Sequence, residues 1–225
     1  MTLLCLMEIM RPYNPAQNDL ARTIKGGRAG VHIVNFPSIK NSRVIVCESK
    51  LEADFCQLLE FDPEVVSYIP QPQTISTYFS GKLTEYTPDF QVTYRFRPDG
   101  FFEIKPDEVD FWDQYQSLMA IVKQYFAESG NSFELVKSSA IRQEPFLGNL
   151  KYFYSKLHVV ADIEYQYLID IVKRCNGQVK YGTLLNLQNP PSIGSIAKGI
   201  YSQAIEIDLH KALGPDTVIW SRKQQ

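Results

Sequence analysis

Two short apolar runs joined by a turn constrain this fold more than any other feature of the sequence. Residues 90–96 and 101–105 are rich in Phe, Val and Tyr, and the segment between them reads Arg-Pro-Asp-Gly. Proline and Asp-Gly between apolar runs are typical of a β-hairpin. The sequence therefore predicts two antiparallel strands, which bring Asp89, just before the first strand, close to Glu103 on the second, near one edge of a sheet.

The charged residues of this hairpin predict a metal-dependent reaction. Glu103 stands two positions before Lys105, so the two side chains point to the same face of their strand. A pair of carboxylates suits a hard divalent cation, with Mg²⁺ expected and Mn²⁺ as its substitute. The cation would polarise a phosphate and activate water, while Lys105 steadies the attacking hydroxide or the developing charge. This is the PD-(D/E)xK pattern of nucleases, although many such trios are only solvated surface charges.

A helix upstream carries a further acidic residue. Ser49 and Glu52 have the Ser-x-x-Glu spacing of a capping box, which predicts a helix from Ser49 to about Glu60. Its apolar residues recur at helical spacing and predict a buried stripe of Leu51, Phe55, Leu58 and Leu59. Glu52 is either a helix cap or a third carboxylate of the metal site, and the two roles are compatible.

These motifs together resemble the TnsA endonuclease family, the nuclease subunits of heteromeric cut-and-paste bacterial transposons. The segments that carry the resemblance are residues 48–52, 58–63, 71–72, 86–90 and 103–106. The similarity extends more weakly through the helix and strand that follow. It implies catalytic roles for four residues, Glu52, Asp89, Glu103 and Lys105. The best-known member has glutamine at the position of Glu103, whereas glutamate matches the wider restriction-like superfamily.

The resemblance implies a Mg²⁺-dependent DNA endonuclease subunit that hydrolyses the 5′ strands at transposon ends. Asp89 and Glu103 are the expected metal ligands, joined by the Ile104 carbonyl and by Glu52, the latter directly or through water. The implied partners are transposon-end DNA, an integrase-like transposase that cuts and joins the 3′ ends, and an AAA+ ATPase regulator. The alternatives are a stand-alone PD-(D/E)xK nuclease, of the restriction or junction-resolving kind, and a non-catalytic assembly factor.

The order of predicted elements indicates an α/β fold with a restriction-endonuclease-like mixed sheet flanked by helices. Strands are expected at residues 31–36, 44–47, 65–69, 74–79, 90–96, 101–105 and 133–137. A turn is expected at residues 80–82. A long helix is expected over about residues 108–129, with Tyr115 in the core and Gln114 or Gln116 in reach of the active site.

Three domains follow from this pattern: a basic arm with the first strand (1–45), the nuclease core (46–148) and a small winged-helix domain (149–225). The last rests on predicted helices at 161–175, 181–187 and 193–203 and on a strand pair at 205–209 and 217–220. Its third helix, capped by Ser192, would be the recognition helix. Lys198 is its one charged residue, which favours protein docking over reading of a DNA sequence.

Charge is distributed unevenly along the chain although the net charge is only −2. Between Arg11 and Arg43 there are six basic residues and one acidic residue, and residues 150–225 carry nine Lys and Arg against six Asp and Glu. Such basic flanks hold DNA phosphates in some proteins and only solvate a surface in others.

The cysteine spacing and the hydropathy of the sequence indicate where in the cell the protein is expected. The four cysteines lack metal-site spacing, so free thiols are expected, with Cys47 and Cys56 in the core. The amino terminus lacks the pattern of a signal peptide, and no apolar run approaches the ~20 residues of a membrane span. A cytoplasmic protein without membrane contact is therefore expected, and the resemblance to the TnsA family implies that the cell is bacterial.

Overall fold

A computed structural model describes residues 32–108, 112–157 and 160–222 of the 225-residue chain. Most of the predicted basic arm lies outside these ranges, so its contact with DNA stays a prediction. The basic residues concerned are Arg11, Arg22, Lys25 and Arg28. Among the helices of the described ranges, none has both the length and the apolar character that a membrane crossing requires.

The first part of the described chain is built around a mixed sheet. In chain order its elements are β1 (Val34–Ser38), β2 (Arg43–Cys47), α1 (Lys50–Phe61), β3 (Val65–Pro70), β4 (Ile75–Phe79), β5 (Lys82–Tyr86), β6 (Phe90–Tyr94), β7 (Gly100–Lys105), α2 (Trp112–Glu128) and β8 (Ser132–Lys137). The sheet has the order β3-β6-β7-β8, antiparallel except for the parallel pair β7 and β8. The pairs β1-β2 and β4-β5 form separate hairpins. The predicted α/β fold, a mixed sheet flanked by helices, is confirmed.

Helices cover the sheet on both faces, and strand β7 is buried between them. Phe55 of α1 packs on Phe102, with ring centroids 5.4 Å apart. On the other face Phe101 stacks on Phe126 of α2 at 4.0 Å. Because side chains alternate along a strand, Glu103 shares the face of Phe101 toward α2.

Two features of the sheet and its neighbouring hairpin differ from the sequence-based expectation. Residues 82–86 form β5, paired with β4, whereas the sequence predicted a turn at 80–82 and no element over 83–86. The turn is shorter because Ser80 and Gly81 take positive φ angles of 51° and 76°, which suit a tight hairpin. In addition, β7 has a neighbour on each side, so Glu103 lies on an inner strand and not at the sheet edge.

The second part of the described chain is mainly helical. Its elements are α3 (Ser138–Ile141), α4 (Phe146–Tyr154), α5 (Asp162–Arg174), β9 (Gln178–Lys180), α6 (Tyr181–Leu185), α7 (Ile193–Tyr201), β10 (Ile205–Ile207) and β11 (Val218–Ser221). The strands form an antiparallel sheet of order β10-β11-β9. Ser192 caps α7 as predicted, since its Oγ accepts a hydrogen bond from Ser195 N–H at 3.1 Å. Strand β9 was missed because three residues are too few for a periodic signal.

Helix α4 connects the two parts at the place where a domain boundary was expected. It contacts α1 on one side and α7 on the other. Phe153 belongs to the apolar cluster of the second part, whereas Tyr154 belongs to that of the first. Asn149 donates hydrogen bonds to the carbonyls of Leu209 and Lys211, at 2.8 and 2.9 Å. The β10–β11 loop is therefore held against α4.

Candidate active site

The pairing of β6 with β7 brings the two predicted acidic residues together. Phe90 pairs with Phe102 in an antiparallel register. Asp89 precedes Phe90 and Glu103 follows Phe102, so the two acidic residues lie opposite each other. The Asp89 carboxylate accepts a hydrogen bond from the backbone N–H of Ile104 at 2.7 Å. This bond joins the residue before β6 to the carboxyl-terminal end of β7 and fixes where the Asp89 carboxylate lies.

Lys105 lies between the two carboxylates. Its Nζ is 2.5 Å from Glu103 Oε1 and 3.7 Å from Asp89 Oδ2. The Glu103 side chain is 6% exposed, that of Asp89 16% and that of Lys105 29%, so Lys105 has the most exposed side chain of the three. Burial alone would lower the pKa of Lys105, but the two carboxylates raise it above its ordinary value. Lys105 is therefore a cation at the pH of the cell.

One cation does not balance the two carboxylates of Asp89 and Glu103. Burial and the neighbouring Glu103 raise the pKa of Asp89 to about 8, although Lys105 opposes this shift. A second positive charge at this point would relieve the repulsion between the two acids. Carboxylate and backbone carbonyl oxygens are the ligands that Mg²⁺ prefers. The residues present therefore fit a hard divalent cation held by Asp89 and Glu103.

Two tyrosines that sequence reasoning did not assign to the site hold Glu103. Tyr86 OH donates to Glu103 Oε2 at 2.6 Å, and Tyr115 OH donates to Oε1 at 2.7 Å. Tyr115 was predicted only as a core residue, and the exposed Gln114 and Gln116 flank it on α2. The signal that could have found Tyr86 is its place at the end of an alternating run, three residues before Asp89.

Glu52 occupies the first turn of α1 and forms the predicted cap. Its Oε2 accepts from Glu48 N–H at 2.8 Å and its Oε1 from Ser49 Oγ–H at 2.9 Å. Burial raises the pKa of Glu52, while these hydrogen bonds and the charge of Lys105 act in the opposite direction. In the part of the chain that the structure describes, no group of three or more His, Cys, Asp and Glu is arranged to hold a metal ion. The structure thus brings together Asp89, Glu103 and Lys105, with Glu52 engaged in its cap.

Comparison with known proteins bears on the segment that contains the acidic pair. Residues 62–138 match the family model of the TnsA-like endonuclease N terminal domain. This segment belongs to the TnsA-like endonucleases. The match confirms the resemblance predicted from the sequence, and it includes Asp89, Glu103 and Lys105 but not Glu52. No curated protein matches the chain.

A TnsA-like endonuclease domain indicates a nuclease related to transposase subunits, with DNA as its substrate. The geometry is suited to this chemistry. The buried carboxylate of Glu103, the half-buried carboxylate of Asp89 and the amine of Lys105 converge at the ends of two inner strands.

Proposed function

We propose that this chain is the metal-dependent DNA endonuclease subunit of a transposase, and that it hydrolyses the 5′ strands at transposon ends during cut-and-paste transposition. The observation that carries the proposal is the cluster of Asp89, Glu103 and Lys105 inside a segment that matches TnsA-like endonucleases. The family relates the chain to transposases, and the cluster supplies charges that phosphodiester hydrolysis requires.

The residues of the site would divide the work as follows. Asp89 and Glu103 would hold Mg²⁺, or Mn²⁺ in its place, together with the backbone carbonyl of Ile104. When bound, the cation supplies charge neutralisation for the phosphate and activation of water. Lys105 would orient the attacking water and stabilise negative charge that develops on the phosphate. Glu52 would act on the cation directly or through a water molecule, in addition to its role as a cap.

The second part of the chain would be a winged-helix unit that docks on protein. The order helix, strand, two helices and two strands from α5 to β11, with β9 paired to β11, supports this fold. Every residue of α7, the expected recognition helix, is buried or half-buried, and the β10–β11 loop contacts α4. Helix α7 therefore offers little exposed surface to a DNA groove, although His210, Lys211 and Asp216 of the loop are exposed. Recognition of the transposon end would depend on partners.

The partners that this function implies are transposon-end DNA, an integrase-like transposase and an AAA+ ATPase regulator. The reaction would take place in a bacterial cytoplasm. The arm before residue 32, which carries Arg11, Arg22, Lys25 and Arg28 against Glu8 and Asp19, would add phosphate contacts. A nuclease that relies on partners for specificity would show little activity alone.

Strand-specific cleavage tests the proposal. A duplex that carries the end of the protein's own transposon, labelled on either strand, is incubated with Mg²⁺ with and without the partner transposase. We expect 5′-strand nicks only with the partner, and none with Asp89→Ala. Asp99→Ala is the matched control, since Asp99 accepts hydrogen bonds from Gln91 and Thr93 at the other end of the same strand pair. Asp99→Ala should cut like the wild type.

The same assay separates the alternatives. Cleavage by the wild type without the partner would indicate a stand-alone nuclease. No cleavage in any condition, with the partner active on the 3′ strands, would indicate an assembly factor. Glu52→Gln tests whether Glu52 acts on the cation as well as capping α1. The glutamine amide can still form hydrogen bonds at the start of the helix, but it carries no charge. Wild-type cleavage by this variant would reduce Glu52 to a cap.

A further inference from the structure

We infer that Tyr86 is a positioning residue of the candidate site, and that it fixes the Glu103 carboxylate in the orientation in which a divalent cation binds. The inference rests on the proposed function, since it assigns Glu103 as a metal ligand. Tyr86 itself touches neither the substrate nor the cation in this proposal. It acts through the hydrogen bond to Glu103, with Tyr115 as a second donor from another element.

The contacts of Glu103 account for its orientation. Oε1 accepts from Tyr115 OH at 2.7 Å and lies 2.5 Å from Lys105 Nζ, whereas Oε2 accepts from Tyr86 OH at 2.6 Å. Hydrogen bonds from a hydroxyl to a carboxylate are short and about twice as strong as neutral ones. Each carboxylate oxygen has two lone-pair sites. Within the described ranges these donors fill both lone-pair sites of Oε1 and one of the two sites of Oε2. Oε2 is therefore the oxygen that would bind a cation, and it is also the oxygen that accepts from Tyr86.

The position of Tyr86 is itself fixed by packing. It is the last residue of β5 and pairs with Ile75 of β4, and both side chains are buried. Its ring meets the edge of Phe133 on β8 at a centroid distance of 6.1 Å. The hydroxyl therefore cannot follow Glu103 if the carboxylate rotates. Residues that hold metal ligands in this way contribute to metal affinity without contact to the metal.

The two hydroxyl donors come from separate elements, so together they restrict the orientation of the Glu103 carboxylate. Tyr86 reaches Glu103 from the β4-β5 hairpin, and Tyr115 reaches it from α2. A rotation of the carboxylate away from the cation would break both bonds at once. Buried polar networks in which every member has a partner specify one arrangement of their side chains. The pair of tyrosines thus selects one rotamer of Glu103.

The structure offers a matched control for the test. Tyr68 OH donates to the buried carboxylate of Glu60 at 2.8 Å, and Tyr68 is 1% exposed. Tyr68→Phe therefore removes the same kind of bond as Tyr86→Phe, from the same kind of site, at a carboxylate that lies outside the candidate active site. Both variants should lose thermal stability to a similar extent. If Tyr86 only stabilised the fold, Tyr86→Phe and Tyr68→Phe would also bind Mn²⁺ equally well.

The test is direct binding of Mn²⁺ to the full-length protein, measured by electron paramagnetic resonance, alongside circular dichroism of each variant. We expect Tyr86→Phe to weaken Mn²⁺ binding by about tenfold or more, and Tyr115→Phe to weaken it in the same direction. Tyr68→Phe should bind Mn²⁺ like the wild type. In cleavage assays the Mg²⁺ concentration for half-maximal rate should rise for Tyr86→Phe, and excess Mg²⁺ should restore much of the rate.

Wild-type Mn²⁺ affinity in a folded Tyr86→Phe variant would overturn the inference, while cleavage that still needs Asp89 would leave the proposed function intact. An equal loss of affinity in Tyr68→Phe would also overturn it, because the effect would then follow stability. If the wild type itself bound no Mn²⁺, the proposed function would fail and this inference with it. Should Tyr86→Phe not fold, Tyr115→Phe measured against Tyr68→Phe decides the question of carboxylate positioning.

Discussion

Replacing Asp89 by asparagine should stabilise the protein in the absence of a divalent cation. The side-chain carbonyl of asparagine still accepts the hydrogen bond from Ile104 N–H, so the connection to β7 is kept. Burial and the neighbouring Glu103 disfavour ionised Asp89 and raise its pKa to about 8. Asparagine avoids the cost of protonating or ionising a carboxyl group at this place. Without a cation, Asp89 would thus make the wild type less stable than Asp89→Asn, whereas a bound cation would favour its ionised form.

The magnitude follows from the linkage between protonation and folding. The pKa of an aspartate in an unfolded chain is about 3.9, whereas the pKa of Asp89 in the folded protein is about 8. Between these values the folded state binds more protons than the unfolded state, so the free energy of unfolding falls as the pH rises. The slope is up to about 1.4 kcal/mol per pH unit, which amounts to about 2–3 kcal/mol between pH 5 and pH 7.

Urea denaturation of the wild type and Asp89→Asn across this pH range, with a chelator present, measures the effect. The difference between the two proteins cancels the titration of groups that both retain. We expect the stability advantage of Asp89→Asn to grow with pH, and added Mg²⁺ to stabilise only the wild type. Parallel stability curves would refute the reasoning, because they would show that Asp89 ionises like an exposed aspartate.

Three further substitutions test the site and the packing. Lys105→Ala should lower single-turnover cleavage by roughly 10²–10³-fold while Mn²⁺ still binds in calorimetry; an unchanged rate would remove Lys105 from the mechanism. Asn149→Ala should lower the free energy of unfolding by about 1–3 kcal/mol and speed hydrogen exchange in the β10–β11 loop, which loses its two bonds to α4; unchanged exchange would contradict this. Gly199→Ala should cost about 1–3 kcal/mol in urea denaturation, because the added carbon would lie 2.8 Å from Ile205 Cγ1; wild-type stability would show that α7 can shift.

Local patterns in the sequence predicted the elements that present the acidic residues. The Arg-Pro-Asp-Gly turn set the β6-β7 hairpin, and the hairpin alone brings Asp89 next to Glu103. The spacing of Ser49 and Glu52 predicted the start of α1, which the structure confirms. These predictions succeeded because turns and helix caps depend on a few consecutive residues.

The predictions that failed concern relations between distant parts of the chain. The site was expected at a sheet edge, but β8, which follows a long helix, pairs with β7 and makes it an inner strand. Strand β5 was missed because alternation over five residues with two charges looks like a polar loop until β4 pairs with it.

The sequence by itself therefore determined the acidic pair, the lysine beside it and the helix that carries Glu52. The tertiary structure alone decided that Tyr86 and Tyr115 hold Glu103 and that every residue of α7 is buried or half-buried. The physical reason is the range of the interactions. A strand or a turn places its own residues, whereas the neighbours of a buried carboxylate are set by how separate elements pack, and no short pattern encodes that packing.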